Sequence, residues 1–244
     1  MAPETINFAV SPPASTTIPV QGQTALFPVR RIYCVGRNYA EHAREMGGDA
    51  SREAPFFFSK PADAVRVSPA DIPYPSRTSD LQHEVELVIA LRGGGTDIDV
   101  KHALELVFGY AVGIDLTRRD LQAAARKAGR PWDMAKGFDA SAPISAVMPA
   151  GQVGAIRNQA ISLAVNGDIR QSGRVGEMLW SVPEVIAELS RLVELKAGDL
   201  IFTGTPAGVG PVRPGDALHA RIEDVGSLDA RIVDSRSNIT RVHQ

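Results

Sequence analysis

The run His83-Glu84-Val85-Glu86-Leu87-Val88-Ile89-Ala90-Leu91 constrains this chain more than any other stretch. It reads as a strand, and residues two apart on a strand share a face. Glu84 and Glu86 therefore point the same way out of strongly apolar surroundings. Two like charges held side by side near a core are costly unless something positive neutralises them. A hard divalent cation is the simplest partner. Carboxylate oxygens suit Mg2+, Mn2+ or Ca2+ rather than Zn2+, which favours His and Cys. Asp115 stands at the end of a second apolar run, Val107 to Ile114, where it is placed to complete such a site. The competing reading is an exposed strand face with solvated acids, and spacing alone leaves both open.

With 244 residues the chain has length for one large domain or two small ones. A net charge of −2 gives no basic excess for nucleic acid and no polybasic segment for a membrane surface. No apolar run reaches the length of a membrane span. No charged region followed by an apolar stretch opens the chain, so no signal peptide is expected. Cys34 is the only cysteine, which excludes disulfide scaffolds and Cys-based zinc sites within one chain and suits a reducing cytoplasm. The 22 glycines and 17 prolines favour many short strands and tight turns over a helical bundle.

The pattern along the chain is mostly strands with a few helices, in one body. A short helix is expected from Tyr39 to Met46, stopped at Gly47-Gly48, with further helices over Asp99 to Val107, Leu121 to Lys127 and Val182 to Leu195. Pro55 to Pro61 and Leu200 to Thr203 read as buried strands, and Asp71 to Pro75 as an extended connector. Ile161 to Arg170 reads as a hairpin through Asn166-Gly167. His219 to Ile222 and Leu228 to Val233 are expected to close the fold. His42 and Glu45, three apart, share a face of the first helix. By sequence alone they read as an exposed ion pair, and Lys136 as a surface lysine. A regular pleat points His83 away from Glu84, and an irregular strand there would leave His83 a supporting role behind the acids.

Six segments, in this order and at these separations, resemble the fumarylacetoacetate hydrolase family. They are Val35-Gly36-Arg37-Asn38-Tyr39-Ala40-Glu41-His42, Phe58-Ser59-Lys60-Pro61, His83-Glu84-Val85-Glu86, Gly113-Ile114-Asp115-Leu116-Thr117-Arg118-Arg119-Asp120-Leu121-Gln122, Ala135-Lys136-Gly137-Phe138-Asp139 and Thr203-Gly204-Thr205-Pro206-Ala207-Gly208-Val209-Gly210. The resemblance implies a mixed α+β, predominantly β fold: a β-sandwich roll around a metal site, with short peripheral helices. It divides the chain into a lead-in over 1–26, a catalytic domain over 27–233 and a tail over 234–244. It further implies a homodimer that takes a small 2-oxo acid. The implied metal is Mg2+ or Mn2+, with Ca2+ possible in a crystal, on Glu84, Glu86 and Asp115.

The implied chemistry is hydrolysis of a carbon–carbon bond in a 1,3-dicarbonyl acid. Leu26 to Arg31 and Gly129-Arg130-Pro131-Trp132 carry a closer likeness to the family's fumarylpyruvate hydrolases, which implies cleavage to fumarate and pyruvate. By resemblance, His42 and Glu45 form a water-activating pair on a lid, and Lys136 supplies positive charge beside the departing enolate. Arg37, Asn38, Gln122, Thr203, Gly204 and Thr205 fall on the substrate side. Gly137 departs from the family's frequent Ser after the site lysine. A distal carboxylate on the substrate calls for an arginine, from Arg118, Arg126, Arg130, Arg44 or Arg52, and a lid arginine, Arg44 or Arg52, is the favoured one because closure would then be coupled to recognition of the correct acid. Acylpyruvate hydrolysis, oxaloacetate decarboxylation and isomerisation of a related dienoate use the same kind of site. A catalytically silent small-acid binding protein is the reading from outside enzymes.

Overall fold

The computed structural model describes residues 8–41 and 53–234. An eight-stranded sheet forms its frame. The strand order is Phe56–Lys60, Arg31–Gly36, Asp199–Phe202, Val85–Leu91, Val107–Ile114, Ala142–Ile144 and Val65–Val67, with Met148–Pro149 also paired to Val107–Ile114. A five-stranded sheet, ordered Asp168–Arg174, Ala160–Val165, Ala217–Ile222, Gly226–Val233, Ala70–Pro73, contacts the two central strands of the frame.

The two-residue period of the central strand explains this layering. Leu87, Ile89 and Leu91 pack with Ile161, Leu163, Leu218, Leu228 and Ile232 between the sheets. Val88 and Ala90 face the other way and join Ile18, Cys34, Ala142 and Phe202 in an inner cluster. Both faces of the frame are thus buried, as a rolled sheet requires. Glu86 shares the parity of Val88 and Ala90, so it belongs to the inner face, at the end of that cluster. Gly113 lies opposite Glu86. A Cβ there would sit 2.5 Å from the Val88 side chain and 2.6 Å from the Phe202 ring, so the close approach requires glycine.

The Asn-Gly hairpin forms as expected, with Asn166 (φ 54) and Gly167 (φ 89) both left-handed between Ala160–Val165 and Asp168–Arg174. Several elements differ from expectation because tertiary pairing overrides local pattern. The helix expected over Asp99 to Val107 is a single turn, Val100–Ala103, followed by a 3-10 turn at Leu104–Leu106, because Val107 is drawn into the frame opposite Leu91. The helix starting at Val182 ends at Ser190, since Leu195 is pulled into a bridge with Gly95. The connector at Asp71 is strand Ala70–Pro73, paired parallel to Gly226–Val233. The expected helix at Tyr39 begins at Ala40 and Glu41, and its remainder lies outside the described residues.

The acid-bearing strand also differs. It breaks at Glu84: Leu81–His83 pairs with Gly210–Val212 in a separate three-stranded sheet, and Val85–Leu91 enters the frame. No helix among the described residues is long and apolar enough to cross a membrane.

Candidate active site

Glu84, Glu86 and Asp115 converge although the strand breaks between the first two. Each offers a carboxylate oxygen, and these oxygens lie within 4.8 Å of one another. The backbone N–H of Asp115 donates to the Glu84 carbonyl at 2.8 Å, tying the end of Val107–Ile114 to the break. The three residues are 5, 2 and 0 % exposed, which excludes a solvated strand face. Burial pushes the Glu86 carboxyl well above the usual range, with the Asp115 and Glu84 charges adding to it. The Gly204 N–H, donating to Glu86 Oε2 at 2.7 Å, and Lys136 pull the other way without cancelling the rise.

These residues fit a divalent cation. The donor set is all oxygen, as Mg2+, Mn2+ and Ca2+ prefer. At metal–oxygen distances of about 2.1 Å, opposite ligands of an octahedron lie about 4.2 Å apart, so a small contraction closes the triad on one ion. Glu86 carries the fit furthest. It is a buried carboxylate beside two others, and a neutral backbone donor is a weak counterweight to that burial.

Three buried or half-buried cations surround the acids. Lys136 Nζ bridges Glu84 Oε2 and Asp115 Oδ2, at 2.7 Å each. Burial alone would lower this ammonium's pKa, but the two carboxylates more than offset it and hold it above the ordinary value. Lys136 is therefore a buried lysine, not a surface one. Arg119 donates to the other Glu84 oxygen, to Gln82 Oε1 at 2.8 Å and to Gln122 Oε1. Lys60 Nζ lies 2.8 Å from Asp115 Oδ1 and donates to the Leu116 and Lys136 carbonyls. Lys60 and Arg119 are site residues beyond those expected from sequence, although both stand in segments that carry the resemblance. Lys60 directly before Pro61, at the end of an apolar strand, was the available signal. For Arg119 the spacing of three to Gln122 on a helix was the signal.

The triad lies in the wall of a cavity of about 390 Å3. Arg37, Gln122, Gly204 and Thr205 line it with Lys136, as do Phe56, Phe58 and Trp132. The aromatics form one wall, with Phe56 and Phe58 edge-on to Trp132 at 5.3 and 6.1 Å. Arg37 turns the chain out of Arg31–Gly36 with φ 57, and its guanidinium lies 5.9 Å from the Phe56 ring centre. Gly204 adopts φ 95, and a Cβ there would fall 2.8 Å from Asn38 Cβ, so both conformation and space demand glycine.

Two expected substrate residues do not line the cavity. Asn38 donates to the Trp180 and Thr203 carbonyls at 2.9 and 2.8 Å and accepts from the Trp180 N–H at 2.7 Å. Thr203 donates to the Leu87 carbonyl at 2.9 Å and is fully buried. Both lock the loop around Gly204 to the frame. Among the arginines considered for a distal carboxylate, Arg126 lines the cavity. Arg118 stacks on Phe138 at 4.4 Å, and Arg130 lines a second cavity together with Trp132. His42, Glu45, Arg44 and Arg52 lie outside the described residues.

One buried residue beyond the expected set ties the site together. Gln171, on the outer strand Asp168–Arg174, meets His83 Nδ1 (2.9 Å), Val85 N (3.0 Å), Thr205 Oγ1 (2.7 Å) and the Pro206 carbonyl (2.8 Å). Burial lowers the His83 pKa, against the opposing effects of Gln171 and Glu84. Sequence offered no signal for Gln171 beyond a polar residue just past a hairpin turn.

The family model described as "Fumarylacetoacetate (FAA) hydrolase C-terminal" matches residues 31–233. A crystal structure of fumarylpyruvate hydrolase from Pseudomonas aeruginosa, in complex with Mn2+ and pyruvate, is 51 % identical. It superposes with a TM-score of 0.92, covering 93 % of this chain and 100 % of that one. A mitochondrial oxaloacetate decarboxylase from Dictyostelium discoideum is 42 % identical over 196 residues, 79 % of this chain and 88 % of its own. An oxaloacetate tautomerase from Escherichia coli is 40 % identical over 214 residues, 87 % of this chain and 97 % of its own.

Proposed function

Because the chain belongs to the fumarylacetoacetate hydrolase family, we propose that its substrate is fumarylpyruvate, cleaved by water to fumarate and pyruvate. It is a hydrolase acting on carbon–carbon bonds. The observation that carries the substrate reading is the pairing of a buried carboxylate triad with a ring of cations in one cavity. A 2-oxo acid brings a carboxylate and a neighbouring carbonyl to such a site. The half-identical hydrolase solved with Mn2+ and pyruvate supports the same ligand class.

In this reading Glu84, Glu86 and Asp115 hold Mg2+ or Mn2+. When bound, such an ion supplies Lewis-acid polarisation of the 2-oxo acid. Water adds to the acyl carbonyl, and His42, oriented by Glu45, takes its proton. The bond between acyl carbon and methylene then breaks, and its electron pair leaves with pyruvate as the enolate. Lys136, already carrying a proton beside Glu84 and Asp115, stabilises that negative charge. The enolate then takes the proton held by His42 at its methylene carbon, which returns the base to its starting state. Arg126 reads the far carboxylate of the fumaryl group, while the aromatic wall excludes water from its alkene.

A second reading is an oxaloacetate enzyme, favoured by the names of the two relatives at about 40 % identity. Assay of purified protein with Mg2+ against fumarylpyruvate, acetylpyruvate and oxaloacetate separates the two. Fumarylpyruvate should show the highest kcat/KM. Faster turnover of oxaloacetate would favour the second reading, and no turnover of any of the three would favour a binding protein.

A further inference from the structure

The hydrogen bonds of Gln171 leave its amide only one orientation. The Val85 N–H can only donate, so the atom it meets is the amide oxygen. The Pro206 carbonyl can only accept, so the atom it meets is the amide nitrogen. Two consequences follow. His83 Nδ1 meets the oxygen and must carry a hydrogen. Thr205 Oγ1 meets the nitrogen and must accept. The Thr205 hydroxyl therefore has to send its own proton elsewhere. Nothing among the described residues takes it, and Thr205 lines the cavity beside Glu86 and Lys136.

We propose that Gln171 is a positioning residue: it commits the Thr205 hydroxyl to donate into the cavity, where the hydroxyl reads an acceptor oxygen of the bound 2-oxo acid. The same amide holds Val85, the residue between Glu84 and Glu86, so one side chain from the outer sheet sets both the carboxylate break and the donor facing it. A hydroxyl that could rotate freely would serve donors and acceptors alike. One pinned by Gln171 can only donate at that place, which favours a carboxylate or carbonyl oxygen over an ammonium or any other group that only donates. This inference rests on the reading of the cavity as a 2-oxo acid site.

The test measures pyruvate affinity by calorimetry on Mn2+-loaded protein, with Mn2+ affinity and thermal midpoint measured beside it. Gln171→Glu keeps the acceptor that faces His83 and Val85 and replaces the donor to Thr205 by an acceptor. The Thr205 proton then turns away from the cavity. Pyruvate should bind roughly 10- to 100-fold more weakly, the scale of one hydrogen bond to a charged group. Mn2+ affinity should stay within about twofold, the outcome a merely structural role would not give. Thr205→Val should weaken pyruvate equally, Thr205→Ser should bind as the wild type, and Gln171→Glu with Thr205→Val should be no weaker than Thr205→Val alone. Losses that multiply in the double variant, or unchanged pyruvate binding in Gln171→Glu, would overturn the proposal. If Gln171→Glu does not fold, equal affinity in Thr205→Ser and Thr205→Val overturns it by itself. Failure of the wild type to bind pyruvate would instead refute the 2-oxo acid reading.

Discussion

Lys136 and Glu86 are the two residues on which the site's electrostatics turn, and they behave oppositely. Lys136 is a buried cation kept charged by two acids, and Glu86 is a buried acid whose charge burial opposes. Lys136→Met removes the charge that steadies the enolate, and also a competitor for the carboxylates. Its kcat should fall by about 10^2–10^3, the cost of losing a preorganised charge-stabilising donor. Its Mn2+ affinity, followed by electron paramagnetic resonance, should hold or rise; a loss of metal parallel to the loss of kcat would make Lys136 a structural prop instead. The acids were legible in the sequence because a pair of carboxylates two apart in an apolar run is expensive without a counter-charge. Lys60 and Arg119 were not, because a lysine or arginine alone reads as a solvated charge, and only the fold brings them to Asp115 and Glu84.

The strand, turn and helix that meet at the cavity each contribute geometry that no single side chain supplies. The turn after Asp199–Phe202 depends on Gly204, whose φ of 95 and contact with Asn38 leave no room for a side chain. Gly204→Ala should cost at least about 1–2 kcal/mol of stability, the penalty of a left-handed Cβ, and displace the N–H that donates to Glu86. Urea denaturation together with metal titration checks both halves; unchanged stability would mean that the turn relaxes freely. The helix Arg119–Lys127 brings Arg119, Gln122 and Arg126 to one wall. Arg126→Met should cost about 1.5–3 kcal/mol of transition-state stabilisation, read from kcat/KM, for fumarylpyruvate and leave acetylpyruvate nearly untouched. Equal losses on both substrates would remove Arg126 from recognition of the far carboxylate. Hairpin and strand positions were readable from local pattern, Asn166-Gly167 above all. The break at Glu84 and the short helix at Val100–Ala103 were not, because they arise from partners distant in sequence: Gln171 on Val85, and Leu91 opposite Val107.

At the scale of the molecule, a rolled sheet buried on both faces holds three carboxylates at the end of its inner cluster, and an outer sheet reaches through Gln171 to fix them. The layering followed from the alternation of apolar residues along the central strand, whereas the order of strands needed pairings between segments more than a hundred residues apart, such as Leu200 with Ala90. On the proposed reading this assembly holds one divalent ion on Glu84, Glu86 and Asp115. Calorimetric titration of metal-stripped protein with Mn2+, compared with Glu86→Gln, tests it most directly, because the amide keeps the shape and the acceptor for Gly204 while removing the charge. The wild type should bind one ion per chain and gain in thermal midpoint on loading. Affinity should be lower by at least about 10-fold in Glu86→Gln, since even outer partners of metal ligands cost that much. Equal Mn2+ affinity in the two proteins would rule out Glu86 as a metal ligand.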